Sequence, residues 1–418
     1  MSLPLTDIRR HFPFLNAGNI TYLDSAATSQ KPQVVINAMC DVYEKGIGNP
    51  HRGMHPFAEK ATALYDDARQ TVQQFVDAKY NDEIIFTKST TESINLLAHS
   101  LGEDMHPGDA VLISVLEHHS NIIPWLQLKE RKGIDIRWIE ITESGQINSE
   151  SMEKQMTDNR VKIVAVTGLS NVMGTAPDLK KISALAHAHN ALLIVDAAQM
   201  AAHLPIDVQD IDCDFLAFSG HKIYGPTGIG VLYGKRDLLR TLPPFLGGGM
   251  MIREVTRDGF TAADAPAKFE AGTPPVAEAI GLKAAIDWQN QFSWDDRIAH
   301  EQALLTLAQE ELSMIEGLHI LGNLSTGTPI TNHPSPITHH SCISFVIDNI
   351  HPHDLTDMLG QKGICLRAGH HCAQPLHTAL GMNASARLSV SIHTTEEEIL
   401  RVRPAILDAI NILKPHNP

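Results

Sequence analysis

The chain reads as an α/β protein, with a mostly parallel, seven-stranded sheet in a large domain followed by a smaller α+β domain. Three observations predict this. Short apolar runs alternate with helical patterns from about residue 82 to 234. A stretch rich in glycine and proline, 243–275, then separates this core from the C-terminal part of the chain. After it come two long helical patterns and a tail of mixed strands and helices.

Taken in order, "DEIIFT" leads to "TTESINLLAHSLG", "DAVLISVLE" to "NIIPWLQLKERKG", and "IDIRWIEI" to a polar stretch. "VKIVAVTGLS" then leads to "DLKKISALAHAHN", "ALLIVDAAQ" to a short connector, and "CDFLAFSG" to "GIGVLYG". In "DLKKISALAHAHN", Leu179, Ile182, Leu185 and Ala186 share one helical face, whereas the flanking runs are short and continuous. Such units build a sheet covered by helices on both faces. Beyond the separator, "VAEAIGLKAAIDWQNQF" and "DRIAHEQALLTLAQEELSMI" read as long helices, the second linking two domains. "SCISFVID", "HDLTDMLGQKGICLRAG", "SARLSVSIH" and "EEEILRVRPAILDAINIL" supply the smaller domain. The expected division is 21–292 for the large domain and 1–20 with 293–418 for the small one.

Composition narrows the function. A net charge of -15 over 418 residues argues against a protein that grips nucleic acid. No apolar run is long enough to span a bilayer, and "MSLPLTDIRRHFPFL" lacks the apolar core of a secretory signal. Five cysteines, Cys40, Cys213, Cys342, Cys365 and Cys372, are scattered without a CxxC pair. Their odd number points to free thiols in a reducing, cytoplasmic setting. Cys213 and Cys342 sit in or beside apolar runs and read as core thiols.

Ligands of a parallel sheet sit beyond the carboxyl ends of its strands, so the polar residues there carry the functional information. "TKSTTES" puts Ser89, Thr90 and Thr91 at a helix start, which suits an anion as well as an ordinary cap. "LEHHSN" places His118 and His119 after a strand. "LLIVDAAQ" places Asp196 at a strand end with Gln199 three residues on. "AFSGHK" puts Ser219, His221 and Lys222 after the next. Each has a structural use of its own: a cap, a satisfied histidine, a turn lysine. Together they define one chemistry. A lysine condenses with an aldehyde, an aspartate holds a pyridinium proton, and hydroxyls at a helix start hold a phosphate. Pyridoxal 5'-phosphate asks for that set.

The pieces "YLDSAATSQKP", "HRGMH", "TTESINL", "EHHSNIIPW", "SNVMGT", "VDAAQ", "FSGHKIYGPTGIGVLY", "FEAGTPP" and "RAGHHCAQPL", in this order over nearly the whole chain, resemble the class V, fold-type I pyridoxal phosphate enzymes. Within these the chain resembles the group II, SUF- and CSD-type, cysteine desulfurases. "RAGHHCAQPL" separates that branch from the aminotransferases of the class, because it supplies a cysteine. The resemblance implies a Schiff base at Lys222, Asp196 on the pyridine nitrogen, Gln199 on the phenolic oxygen and His118 stacked on the ring. It implies Thr90, Thr91, Ser219 and His221 at the phosphate, with Thr273 reaching the phosphate of the other subunit of a homodimer. Asn171 and Arg387 would meet the substrate carboxylate, and Cys372 would take sulfur from L-cysteine as a persulfide, releasing alanine.

The same resemblance implies hand-over of sulfur to an acceptor of SufE/CsdE-like or SufU-like type, for iron–sulfur cluster assembly. His370 and His371 are the candidates for stabilising the thiolate. Adjacent His-His-Cys lacks the spaced ligand pairs of a structural zinc site, so no metal is expected. His393 and Thr394 stand where the family has Tyr-Asn or a similar pair. The rival readings are a selenocysteine lyase, a class V aminotransferase, a kynureninase-type hydrolase and a catalytically silent binding protein on the same fold. "GPTGIG" opens no evident helix and is a poor dinucleotide fingerprint.

Overall fold

The apolar runs assemble as seven strands, β1 Ile84–Thr87, β2 Ala110–Ser114, β3 Asp135–Ile139, β4 Val161–Thr167, β5 Leu192–Asp196, β6 Phe215–Ser219 and β7 Gly230–Gly234. The computed structural model describes residues 8–16, 18, 20–51, 53–142, 144–322 and 341–413. Residues 1–7, 17 and 19 of the N-terminal segment, and Arg52 of "HRGMH", lie outside them.

The strand order is β1-β7-β6-β5-β4-β2-β3. Neighbours from β6 through β5, β4 and β2 to β3 pair in parallel, while β7 runs antiparallel to both β6 and β1. The exception has a local cause. A parallel return needs a crossover of a dozen or more residues, usually a helix, and between Ser219 and Gly230 the chain makes only a short turn. Lys222 sits in that turn, Gly220–Lys222.

Burial on both faces explains the unbroken apolar strands. Val164, Leu193, Leu216 and Val231 face one apolar cluster with Tyr65, Val72 and Leu282. Ile163, Ile194, Ala217 and Leu232 face the other, with Leu97, Trp125 and Leu128. Neighbouring residues of one strand thus enter opposite clusters, as the pleat requires.

The stretch 243–275 is not a bare separator. It contains an antiparallel hairpin, Ile252–Val255 with Phe260–Ala262, and it sends Glu270 back into the large unit. Arg69 meets Glu270 with both terminal nitrogens, at 2.7 and 2.8 Å. Tyr65 Oη donates to the same carboxylate at 3.0 Å, and the Phe86 N–H at 2.7 Å. Removing one partner of a buried ion pair strands the other charge. Glu270→Ala is therefore expected to cost about 3–5 kcal/mol of stability, seen as a lower urea midpoint. Replacing Arg69 and Glu270 together by methionine and leucine should cost much less.

After the helix Val276–Gln289, the helix Trp294–Ser313 bridges two cores. Glu301 on it pairs with His203 behind β5, at 2.8 Å, while Leu304, Leu305, Ala308 and Leu312 enter a separate apolar cluster. That cluster lies on a four-stranded antiparallel sheet, ordered Leu318–Ile320, Cys342–Ile347, Ser385–Ser389, Arg367–Gly369. Near the N-terminus, Thr21–Tyr22 pairs in parallel with Ile364–Cys365. Ile8, Phe12 and Leu15 pack with Tyr224, Trp288 and Ile392, so this segment wedges between the two units.

Candidate active site

One crevice collects the carboxyl ends of β1, β2, β4, β5 and β6, and Arg367, His371 and Arg387 of the smaller unit close it. The cavity measures about 210 Å3. Thr90, Thr91, His118, Asn171, Asp196, Gln199, Ser219, His221, Lys222 and Arg387 all line it.

At one end the helix Thr90–Ser100 begins after Ser89, whose extended backbone makes it the cap. Thr90 donates its backbone N–H to Ser219 Oγ at 2.9 Å, and the two hydroxyl oxygens lie 2.7 Å apart. Gly230 permits this approach: a Cβ there would stand 2.5–2.7 Å from the Ser89 backbone. The result is a helix start with hydroxyls from two elements beside it, the arrangement that attracts a phosphate. Burial, with Lys222 and Lys31 nearby, pushes the His221 pKa down to about 4, so its ring is neutral.

Asp196 is buried at the end of β5. Its Oδ1 accepts the Ala198 N–H at 3.0 Å, and among the described residues it has no ion pair. Burial raises its pKa. Lys222 has no hydrogen bond among the described residues. Burial lowers its pKa to about 8, with Arg387 and Arg367 adding to the fall and Asp196 opposing it. Gln199 donates to the Ala26 carbonyl at 2.7 Å. His118 Nδ1 accepts the Ser120 N–H at 3.1 Å, so the neutral ring carries its proton on Nε2. Burial and the positive Lys222 push its pKa down to about 3.

Arg387 is fully buried on the small sheet. It donates to the Asn171 carbonyl at 2.9 Å and to Asp24 Oδ1 at 3.0 Å, and among the described residues its buried Nε has no partner. The Asn171 amide donates to the His371 carbonyl at 2.8 Å, tying the loop of Cys372 to the crevice. Cys372 is half-buried, close enough to Lys222 for its thiolate to raise the lysine's affinity for a proton. Thr273 lies apart, in a groove with Phe245, Ala271 and Pro274.

Several participants escape sequence reasoning. His371 is no cation beside the thiol. Its Nε2 lies 3.1 Å from the Ser385 carbonyl and must donate there, and burial pushes its pKa down to about 2. The nearby charge is instead Arg367, whose Nη2 donates to Cys372 Sγ at 4.0 Å. Behind His118, the buried Glu117 ties strand ends together. It contacts Ser114 Oγ, accepts from Asn121 Nδ2 at 2.7 Å and from the Thr167 N–H at 3.0 Å. Burial pushes its pKa up to about 8. A Glu beside two histidines carries no signal of this in the sequence. His393 and Thr394 stand away from the crevice: His393 packs against Phe12, and Thr394 Oγ1 caps the Ser391 N–H at 3.0 Å. Among the described residues, no three of His, Cys, Asp and Glu form a metal-binding group.

A family model described as aminotransferase class-V matches residues 21–402. The chain belongs to the class-V aminotransferase family. A probable cysteine desulfurase of Streptomyces coelicolor is 44% identical over 402 residues, 94% of each chain. A cysteine desulfurase of Pectobacterium atrosepticum is 41% identical, with 96% of this chain and 97% of that protein aligned. The crystal structure of the Escherichia coli cysteine desulfurase CsdA, in its S-sulfonic acid form, superposes with a TM-score of 0.89 at 37% identity, over 99% of this chain and all of that one. The class-V fold here is thus that of the fold-type I enzymes, as the sequence predicts.

The cofactor of the class-V family, pyridoxal 5'-phosphate, fits the cavity. Asp196 is a buried carboxyl with no ion pair among the described residues, Lys222 is a buried amine with no hydrogen bond among them, and the helix start beside Thr91 faces the same space. Lys222, Asp196 and the Thr90–Ser219 pair are the residues that would hold it.

Proposed function

We propose that this chain is a pyridoxal phosphate-dependent cysteine desulfurase, converting L-cysteine to L-alanine and taking the sulfur as a persulfide on Cys372. The observation that carries the reading is a half-buried thiol beside the cavity, met at 4.0 Å by Arg367 and tied through the His371 carbonyl to Asn171, both of which line it with the buried Arg387. An aminotransferase needs no such thiol.

Bound pyridoxal phosphate supplies the electron sink for charge that develops on the substrate's α-carbon. The chain's residues do the rest. Asp196 would keep a proton on the ring nitrogen, and the neutral His118 would steady the ring. Thr90, Thr91, Ser219 and His221 would hold the phosphate, Gln199 would meet the phenolic oxygen, and Asn171 would lie near both that oxygen and the substrate carboxylate. Arg387 orients the substrate carboxylate with the N–H groups that Asn171 and Asp24 leave free. Lys222, with a pKa of about 8, is mostly ammonium at pH 7 yet gives up its proton far more readily than an ordinary lysine. It can therefore remove the α-proton and return one. In the sulfur step the carbon–sulfur bond breaks and its electron pair stays with carbon, which takes a proton. A sulfur–sulfur bond forms at Cys372 Sγ, and alanine leaves.

Arg387→Lys keeps the charge and loses the planar fork. KM for cysteine is expected to rise roughly tenfold to a hundredfold, with the cofactor's visible band unchanged. Steady-state kinetics with parallel absorbance spectra check this.

Thr273 is proposed to reach the phosphate of the other subunit in a homodimer, consistent with its place in a groove outside this cavity. The large domain is proposed as 21–292, and the small one as 1–20 with 293–418. An acceptor of SufE/CsdE-like or SufU-like type would receive the sulfur, for iron–sulfur cluster assembly. The setting proposed is the cytoplasm, in keeping with five free cysteines; no described helix is long and apolar enough to cross a membrane.

The direct experiment gives L-cysteine to the cofactor-loaded protein and follows two products. Alanine should appear, and the peptide containing Cys372 should gain the mass of one sulfur atom. Alanine without sulfur on that peptide would overturn the persulfide route, and no alanine would overturn the reading altogether.

A further inference from the structure

The loop that presents Cys372 is folded against its backbone preferences. His371 and Cys372 have φ of 51° and 58°, two successive left-handed residues with no glycine between them. Such a shape persists only where the surroundings hold it. Within the smaller unit, the Ala373 N–H closes the loop on the His370 carbonyl at 2.8 Å, and Ser385 pins the His371 ring.

Three further bonds come from the large unit. Asn171 supplies one, to the His371 carbonyl. His119 supplies the other two. Its N–H donates to the Cys372 carbonyl at 2.7 Å, and its Nε2 accepts the Gln374 N–H at 3.1 Å. Both bonds hold the chain just after the cysteine side chain, one at its own carbonyl and one two residues on. Nε2 is an acceptor there, so the neutral ring carries its proton on Nδ1. His119 does not line the cavity; its neighbour His118 does. Two adjacent histidines thus divide the work, one facing the crevice and the other the loop.

We propose that His119 is the positioning residue for the sulfur acceptor, its imidazole clasping the Gln374 N–H so that Cys372 Sγ is held toward the crevice. This rests on the reading of Cys372 as the group that takes sulfur. Without the clasp, the strained pair relaxes and the thiol spends more time turned outward.

The test compares the cofactor-loaded native protein with His119→Leu, His119→Gln and Gln374→Pro. Glutamine places an amide oxygen near the position of Nε2 and keeps the acceptor. Proline deletes the donor at the first position of a helix, where it is tolerated. One readout is the rate at which iodoacetamide alkylates the Cys372 peptide. The other is alanine release, split into kcat and KM. Losing this hydrogen bond, which lies at the surface, should speed alkylation by roughly twofold to fivefold in His119→Leu and Gln374→Pro. Their kcat should fall while KM and the visible cofactor band stay near native, and His119→Gln should restore both readouts.

Native alkylation rates in His119→Leu and Gln374→Pro would overturn the proposal. So would failure of glutamine to restore them, since ring volume rather than the acceptor would then matter. If His119→Leu loses its cofactor band, Gln374→Pro decides alone. Alkylation reads the loop, not the reaction, so it stands even if the desulfurase reading fails through absence of alanine.

Discussion

Cys372→Ser is expected to lose alanine release from cysteine by roughly a thousandfold or more, the scale on which a deleted nucleophile acts. A hydroxyl replaces the thiol at nearly the same size, and the carbonyl that His119 grips is untouched, so the loop keeps its shape. What disappears is a sulfur able to form the new sulfur–sulfur bond. The visible cofactor band should remain, because Lys222, Asp196 and the helix start are unaltered. Selenocysteine turnover should also remain, since selenium can leave without a thiol to accept it. Chromatographic assay of alanine from the two substrates checks both arms. Unchanged release from cysteine would leave "RAGHHC" without its proposed role.

Lys222→Ala is expected to lower turnover about 10²–10⁴-fold, the usual range for removing a group that moves protons. It should also remove the visible band of the bound cofactor. The native lysine carries a pH signature of its own. Burial lowers its pKa to about 8, so the amine is protonated below that pH and free above it. Cofactor uptake by the cofactor-free protein, followed by absorbance, should accelerate as pH rises through about 8 and then level off. An ordinary lysine would keep accelerating to beyond pH 10. A curve still rising at pH 10 would contradict the buried environment described for this side chain.

The strands of the large sheet are legible in the sequence because each is a short apolar run followed by turn and cap residues. The same regularity predicts where Asp196, Lys222 and His118 gather, since strand ends in a parallel sheet share one edge. Other features resist reading for definite reasons. The reversal of β7 depends on the shortness of one turn, which a run of glycines does not reveal as antiparallel. Glu270 looks like part of a separator because its partner, Arg69, lies 201 positions away. Arg367 and Glu117 act through neighbours brought by folding, and their local sequence is that of any charged residue near a strand. His371 looks like a cation for the thiol until Ser385 is seen to occupy its Nε2.

The span of the arginine clamp has a consequence for how the enzyme comes into being. Arg387 reaches Asn171 across 216 positions and Asp24 across 363. Synthesis runs from the N-terminus, and domains fold as units as they emerge. A chain still on the ribosome can complete the seven-stranded sheet, and with it the residues proposed to hold the cofactor, well before the clamp and the sulfur acceptor exist. On the proposed reading, a nascent chain or a molecule cut short before Cys372 could not take up sulfur. The groups proposed to orient the substrate and take its sulfur are thus made late, after the whole of the large sheet.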